Sequence, residues 1–179
     1  MKLARVAEFD ATDRAILELL QDNCKQSMAQ IGEKVGLSAP SVVERIHKLE
    51  VVGVITGYVA LVDARRLGKE VTAFLGVSTE QPRSIGSLER QIIAIPDVLE
   101  CHHVTGAHTL MVKVKTENTE SLEQLIEQVR SFEGVSRTET MVALSTQTER
   151  QRIALDARDE FVARPSRRSG GRSRGGRKA

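Results

Sequence analysis

Apolar positions between about residues 10 and 53 recur at spacings of three and four, which predicts three short helices. The first starts at Asp10 or Thr12, carries Ile16, Leu17, Leu19 and Leu20, and stops near Asp22 and Asn23. The second takes Ser27 as its N-cap, carries Met28, Ile31 and Val35, and ends at Gly36, which tolerates a left-handed backbone. The third starts at Ser38, places Pro40 in the first turn where a missing N–H costs nothing, and runs to about Val52 before Gly53. A short strand from Val54 to Val62 and a polar connector from Asp63 to Lys69 are expected next.

From Val71 the period changes to two. Val71, Ala73, Leu75 and Val77 alternate with Thr72, Phe74, Gly76 and Ser78, a strand buried on at least one face. Pro82 and Arg83 open a helix through Leu88, Ile92 and Ile95, which Pro96 ends. Val98 to Thr105 and Thr109 to Lys115 read as strands with Gly106 in the turn between them. Asn118 caps a helix bearing Leu122, Leu125, Ile126 and Val129, Gly134 closes it, and Val135 to Leu144 is a further strand. The order strand, helix, strand, strand, helix, strand predicts a ferredoxin-like βαββαβ domain: one antiparallel sheet with both helices on one face.

The fold class is therefore α+β, with a helix-turn-helix over residues 1–60, a linker over 61–69 and the ferredoxin-like domain over 70–147. Residues 148–179 form a tail. Thr148 to Val162 is expected to be helical, with Ile153, Leu155 and Phe161 as its few anchors. Pro165 to Ala179 is Ser, Gly and Arg sequence with too little apolar surface to offset its ordering entropy, and is expected to be disordered.

Two helices joined by Gly36-Leu37-Ser38 satisfy the requirements of a DNA-reading helix-turn-helix. On the third helix Val42, Ile46 and Leu49 share one face, while Ser41, Arg45 and Lys48 share another about 100° away. Such a helix fits the major groove, with Arg45 reaching a guanine edge or a phosphate and Ser38 and Ser41 bonding phosphates. Gln30 and His47 are candidate flanking contacts. The alternative is that the unit is a protein-interaction module and Arg45 pairs with Glu44, Glu50 or an Asp on its own surface.

The run Leu37-Ser38-Ala39-Pro40-Ser41-Val42-Val43-Glu44-Arg45-Ile46-His47-Lys48-Leu49-Glu50, followed by Gly53-Val54-Ile55-Thr56-Gly57-Tyr58, resembles the recognition helix and next strand of the leucine-responsive/asparagine-responsive (Lrp/AsnC) transcriptional regulators. So does the opening Asp10-Ala11-Thr12-Asp13-Arg14-Ala15-Ile16-Leu17. Glu100-Cys101-His102-His103-Val104-Thr105-Gly106 and Gly134-Val135-Ser136-Arg137-Thr138-Glu139-Thr140 look like the sheet motifs of that family's sensory domain. The resemblance implies a winged helix-turn-helix, a strand linker and a ferredoxin-like effector domain. It also implies homodimers that assemble further into tetramers or octamers, with an amino acid or related metabolite bound between dimers. Ser38, Ser41, Arg45 and Lys48 would contact double-stranded DNA. Thr105, Gly106, Ala107, His108 and Thr109, with Thr138 and Thr140 across the sheet, would line the effector pocket. Many members carry Asp in this loop to receive an ammonium group. Here Gly106-Ala107-His108-Thr109-Leu110 has no carboxylate and looks closer to the asparagine-regulator subgroup, with a hydroxyl at Thr109.

Charge sharpens this picture only at the C-terminus. The 179 residues hold 26 basic and 24 acidic side chains, and seven of the basic ones, with no acidic one, lie between Arg164 and Ala179. Mobile cations of this kind release counterions from DNA or RNA, and the same tail would equally serve only to keep the protein soluble. Residues 1–60 themselves are nearly neutral, with seven basic against eight acidic residues.

Cys24 and Cys101 sit in unrelated segments without a secretory pattern, which points to a reducing, cytoplasmic setting and no membrane span. Cys101 and His103 share one strand face and His102 takes the other, too few ligands for zinc, so neither metal nor cofactor is expected. His108 is placed to bond a ligand carboxylate, or else is a solvated loop histidine. No catalytic motif emerges and no enzyme is expected. The competing classes are a sirohaem-decarboxylase-like enzyme on the same frame and an architectural DNA-binding protein.

Overall fold

Every helix of the N-terminal unit begins where a side chain replaces a missing backbone partner. The computed structural model describes residues 6–7, 10–80, 85–155 and 161–162. Helix α1 (Ala11–Asp22) is capped by Asp10, whose carboxylate accepts from the Asp13 N–H while Asp13 returns the bond to the Asp10 N–H. Helix α2 (Met28–Val35) carries the same reciprocal box between Ser27 and Gln30. Its C-cap Gly36 sits at φ +70°, in the left-handed region the turn requires. Helix α3 (Ala39–Val51) is capped by Ser38 and has Pro40 in its first turn. The three helices close over Ile16, Leu20, Ile31, Val42 and Ile46.

This unit also contains a two-residue antiparallel pairing of β1 (Val6–Ala7) with β6 (Phe161–Val162). No strand forms over residues 54–62, where one was expected. The N–H groups of Val54 and Ile55 turn back to the Leu49 carbonyl, and Gly53 adopts φ +77°. Beyond them the segment has no ladder partner among the described residues, and Tyr58, Val59, Leu61 and Val62 stay exposed. Apolar, β-branched composition alone does not make a strand; its backbone groups need a neighbouring chain.

The second unit follows from residue 61 to residue 149. It opens with a short 3₁₀ turn at Arg65–Leu67. Its strands are β2 (Val71–Thr79), β3 (Val98–His103), β4 (Leu110–Thr116) and β5 (Val135–Val142), in the antiparallel order β3-β4-β2-β5. Helices α4 (Ile85–Ile93) and α5 (Thr119–Arg130) cover one face. Ala73, Leu75, Val77, Leu110, Val112 and Val114 point toward them and are fully buried with Leu88, Ile92 and Val129. The α+β architecture read from the sequence is the one observed. The proposed start of α4 at Pro82 and Arg83 lies outside the described residues.

The expected helix from Thr148 does not form over residues 148–155. Side chains fix this stretch instead. Glu149 reaches Lys113 and Lys115, and the Ile153 backbone exchanges two bonds with the Gln21 amide. Residues 156–160 and the basic tail after Val162 lie outside the described residues.

Candidate nucleic-acid and effector sites

The structure sorts the six expected DNA contacts by what each side chain is already doing. Gln30 is committed to the α2 cap, its Oε1 accepting from the Ser27 N–H at 2.9 Å. Ser38 accepts from the Ser41 N–H, and the two hydroxyls bond each other at 2.8 Å. These three residues chiefly hold the ends of α2 and α3.

Arg45 departs furthest from the expectation. Its Nη1 lies 2.7 Å from Asp13 and 2.8 Å from Asp10, at the start of α1. Asp13 is 1% exposed. The bond to Asp13, then the bond to Asp10, holds the guanidinium above its ordinary pKa. The Asp10 carboxyl is lowered first by the Asp13 N–H and then by Arg45. Arg45 is therefore a clamp between α3 and α1 rather than a free cation. The acidic pair in the first turn of α1 was the available signal, but only the packing of α3 on α1 chooses it over Glu44 or Glu50.

Lys48 and His47 remain turned outward. Lys48 is exposed and holds no ion pair among the described residues, while His47, its side chain 74% exposed, lies 3.9 Å from Glu50. Glu50 in turn accepts from the Tyr58 hydroxyl at 3.0 Å. Val43 and Glu44, neither of which the sequence pointed to as a DNA contact, stand exposed beside them.

In the second unit the loop between β3 and β4 turns at Gly106, at φ +112°. Thr109 anchors it: its N–H donates to the Val77 carbonyl and its hydroxyl accepts from the Thr79 N–H at 3.2 Å. The Ser78 hydroxyl donates to the Ala107 carbonyl, and Thr105, Gly106 and Ala107 are exposed. His108 folds back over the sheet. A Cβ on Gly76 would lie 2.5 Å from its ring, so only glycine admits the imidazole there. Its Nε2 is 3.6 Å from Glu139, and its Nδ1 is buried without a hydrogen-bond partner among the described residues. His108 is thus a packed side chain with one unused polar atom, not a solvated loop residue.

Thr138 and Thr140 are not brought to this loop within one protomer. They pair in register with Val77 and Leu75, whose side chains face the helices, whereas Glu139 pairs with Gly76 on the open face beside His108. The Thr138 hydroxyl accepts from Arg130 Nε of α5 at 2.8 Å. Both threonines line a separate cleft of about 370 Å³ between α5 and β5, with Leu122, Ile126 and Arg130. Period two makes a neighbour in sequence a stranger in space, so Glu139 takes the place expected of Thr138.

Elsewhere on the open face, Lys113 bonds Glu100 at 3.0 Å and Glu149, and Lys115 bonds Glu149 at 2.8 Å. The two lysines pull the Glu149 carboxyl down to about 2. A lowered carboxylate supports the fold while ionised, so this tie persists above the ordinary carboxylate range and is lost as pH falls toward that value. Cys101 pairs with Val112 and packs on the core, and burial raises its thiol pKa. Among the described residues no group of three or more His, Cys, Asp or Glu could hold a metal ion, and no helix is long and apolar enough to cross a membrane.

Residues 9–50 match the AsnC-type helix-turn-helix domain, and residues 72–153 match the Lrp/AsnC ligand binding domain. An uncharacterised HTH-type transcriptional regulator of Bacillus subtilis, YezC, is 42% identical over 119 residues, covering 66% of this chain and 84% of that protein. The solved structure of E. coli AsnC superposes with a TM-score of 0.75 at 26% identity, covering 80% of this chain and 97% of that one. A regulator of Neisseria meningitidis, NMB0573, solved in complex with L-Met, shares the fold at a TM-score of 0.79 and 22% identity, covering 83% of this chain and 98% of that one. Two domain matches in the same order as the two structural units, joined to a relative this similar, place the chain in the Lrp/AsnC family of transcriptional regulators.

Proposed function

We propose that the chain binds a defined duplex DNA site through α3 and that its second unit holds an amino-acid effector, the protein acting as a regulator and not as an enzyme. The reading is carried by one observation: α3, set by the Gly36 turn and capped by Ser38, presents Lys48 and His47 outward with no ion pair on Lys48 among the described residues. An exposed cation on the outer face of such a helix reaches guanine edges or phosphates when the helix lies in the major groove. Ser38, Ser41 and Gln30 support this geometry as caps, and Arg45 as the clamp that sets the angle of α3.

The effector region we assign is the Thr105 to Thr109 loop with His108, whose Nδ1, unbonded among the described residues, offers a ligand a polar atom. L-methionine bound to the Neisseria relative supports an amino acid as ligand class. The protein would work in the cytoplasm as a homodimer assembling further, the effector acting through its different affinity for two arrangements of the assembly.

Lys48→Ala is expected to weaken binding to a selected operator about 10- to 100-fold, the range of one good base or phosphate contact. Fluorescence anisotropy on a labelled duplex measures it, and unchanged affinity would remove α3 from the interface. In a thermal-shift screen of the twenty amino acids, one is expected to raise the unfolding temperature at saturation. His108→Ala should abolish that rise; a rise that survives the substitution moves the effector elsewhere.

A further inference from the structure

Helix α3 carries more on its outer face than charge. Val42, Ile46 and Leu49 take the core side, at 0%, 7% and 2% exposure, and Arg45 is spent on α1. Val43 is 50% exposed and flanked one turn away by exposed Pro40 and His47. Beside it Glu44 is exposed and tied to no other side chain among the described residues. Both lie in the N-terminal half of α3, the part of a recognition helix that meets base edges.

A carboxylate is a poor neighbour for phosphates. On a major-groove helix it is tolerated where it faces the groove floor, and there its natural partner is the N4 amino group of cytosine. An exposed branched aliphatic side chain in the same position finds one apolar group on a base edge, the thymine methyl. Successive residues of an α-helix rise about 1.5 Å and turn about 100°, so the Val43 and Glu44 side chains diverge across the outer face. Adjacent residues can therefore address adjacent pairs.

We propose that Val43 and Glu44 set the base preference of this protein, Val43 by packing on a thymine methyl and Glu44 by accepting from a cytosine amino group in the neighbouring base pair. This deepens the reading of α3 as the recognition helix and rests on it. Both positions are exposed, so substitutions there leave the fold intact and their effects fall on recognition.

The test starts with selection of tight sites from a random duplex pool using the full-length protein. Each thymine in the selected site is then replaced by deoxyuridine, which removes only the methyl group. Wild type is expected to lose about fourfold in affinity at one position, the value of one buried methyl-sized group, and Val43→Ala to lose nothing further there. Glu44→Gln is expected to enrich adenine where wild type selects cytosine in the adjacent pair, because an amide side chain bonds adenine in two places.

Equal affinity for thymine and deoxyuridine at every position, or discrimination that survives Val43→Ala, overturns the role of Val43. An unchanged selected sequence with Glu44→Gln overturns that of Glu44. If these fail while Lys48→Ala still weakens binding, only the specificity assignment falls. If no sequence is enriched and Lys48→Ala binds as wild type does, the recognition helix itself has been misassigned.

Discussion

Replacing Gly32 by Ala is expected to lower the stability of the N-terminal unit by about 2 kcal/mol and to weaken operator binding by more than tenfold. Gly32 is buried in α2, and a Cβ there would stand 2.4 Å from the Leu37 carbonyl oxygen. The obstacle is backbone, so no rotamer change relieves it. The turn is also held from both sides: the Leu37 N–H donates to the Gly32 carbonyl at 2.9 Å, and Ser38 is fixed as the α3 cap. A backbone obstacle puts this overpacking at the upper end of its range, about 3 kcal/mol, against a gain of about 1 kcal/mol from the better helix propensity of alanine. The remainder pushes α3 away from α2, which misplaces every contact that helix makes.

Gly36→Ala provides the contrast. It meets nothing within 4 Å and is strained only by its φ of +70°, so about 1 kcal/mol and a milder loss of binding are expected. Urea unfolding followed by circular dichroism, with anisotropy on the same samples, separates the two. A Gly32→Ala midpoint equal to that of wild type would mean that the helices do not approach this closely.

The second large effect is expected from Arg45→Ala, at about 2–3 kcal/mol. Removing the guanidinium leaves the Asp13 carboxylate, which is 1% exposed, without its charged partner on α3. Breaking a buried pair in this way costs about 3–5 kcal/mol, and the figure is reduced here because the Arg45 and Asp10 side chains are 31% and 54% exposed. A double-mutant cycle with Asp13→Asn should show strong coupling, the second substitution costing far less than the first. The Asp10 carboxyl, lowered by the Asp13 N–H and by Arg45, adds stability while ionised and loses it as pH falls through its lowered value. If Arg45→Ala leaves the unfolding midpoint unchanged and only weakens DNA binding, the clamp is wrong and Arg45 returns to the DNA contacts.

Much of the fold was legible in the sequence for reasons local to the chain. Asp10, Ser27, Ser38 and Asn118 bring their own hydrogen bonds to helix starts, and the change from period 3.6 to period two after Val71 marks where helices give way to the sheet. The failures share a different cause. Val54 to Val62 is apolar enough for a strand but lacks a ladder partner among the described residues, and the stretch from Thr148 to Leu155, expected to begin a helix, is held by Lys113, Lys115 and Gln21. Both outcomes are decided by what the rest of the fold offers each segment as partners.

The candidate sites divide along the same line. By itself the sequence determined the helix-turn-helix and the alternating sheet, because capping and hydrophobic period act between residues a few positions apart. Only the tertiary structure decided that Arg45 belongs to Asp13, that Glu139 rather than Thr138 meets His108, and that Val43 is left facing out. Those outcomes depend on which helix packs against which and on which way each pleat points, and such pairings are set by burial across the whole domain.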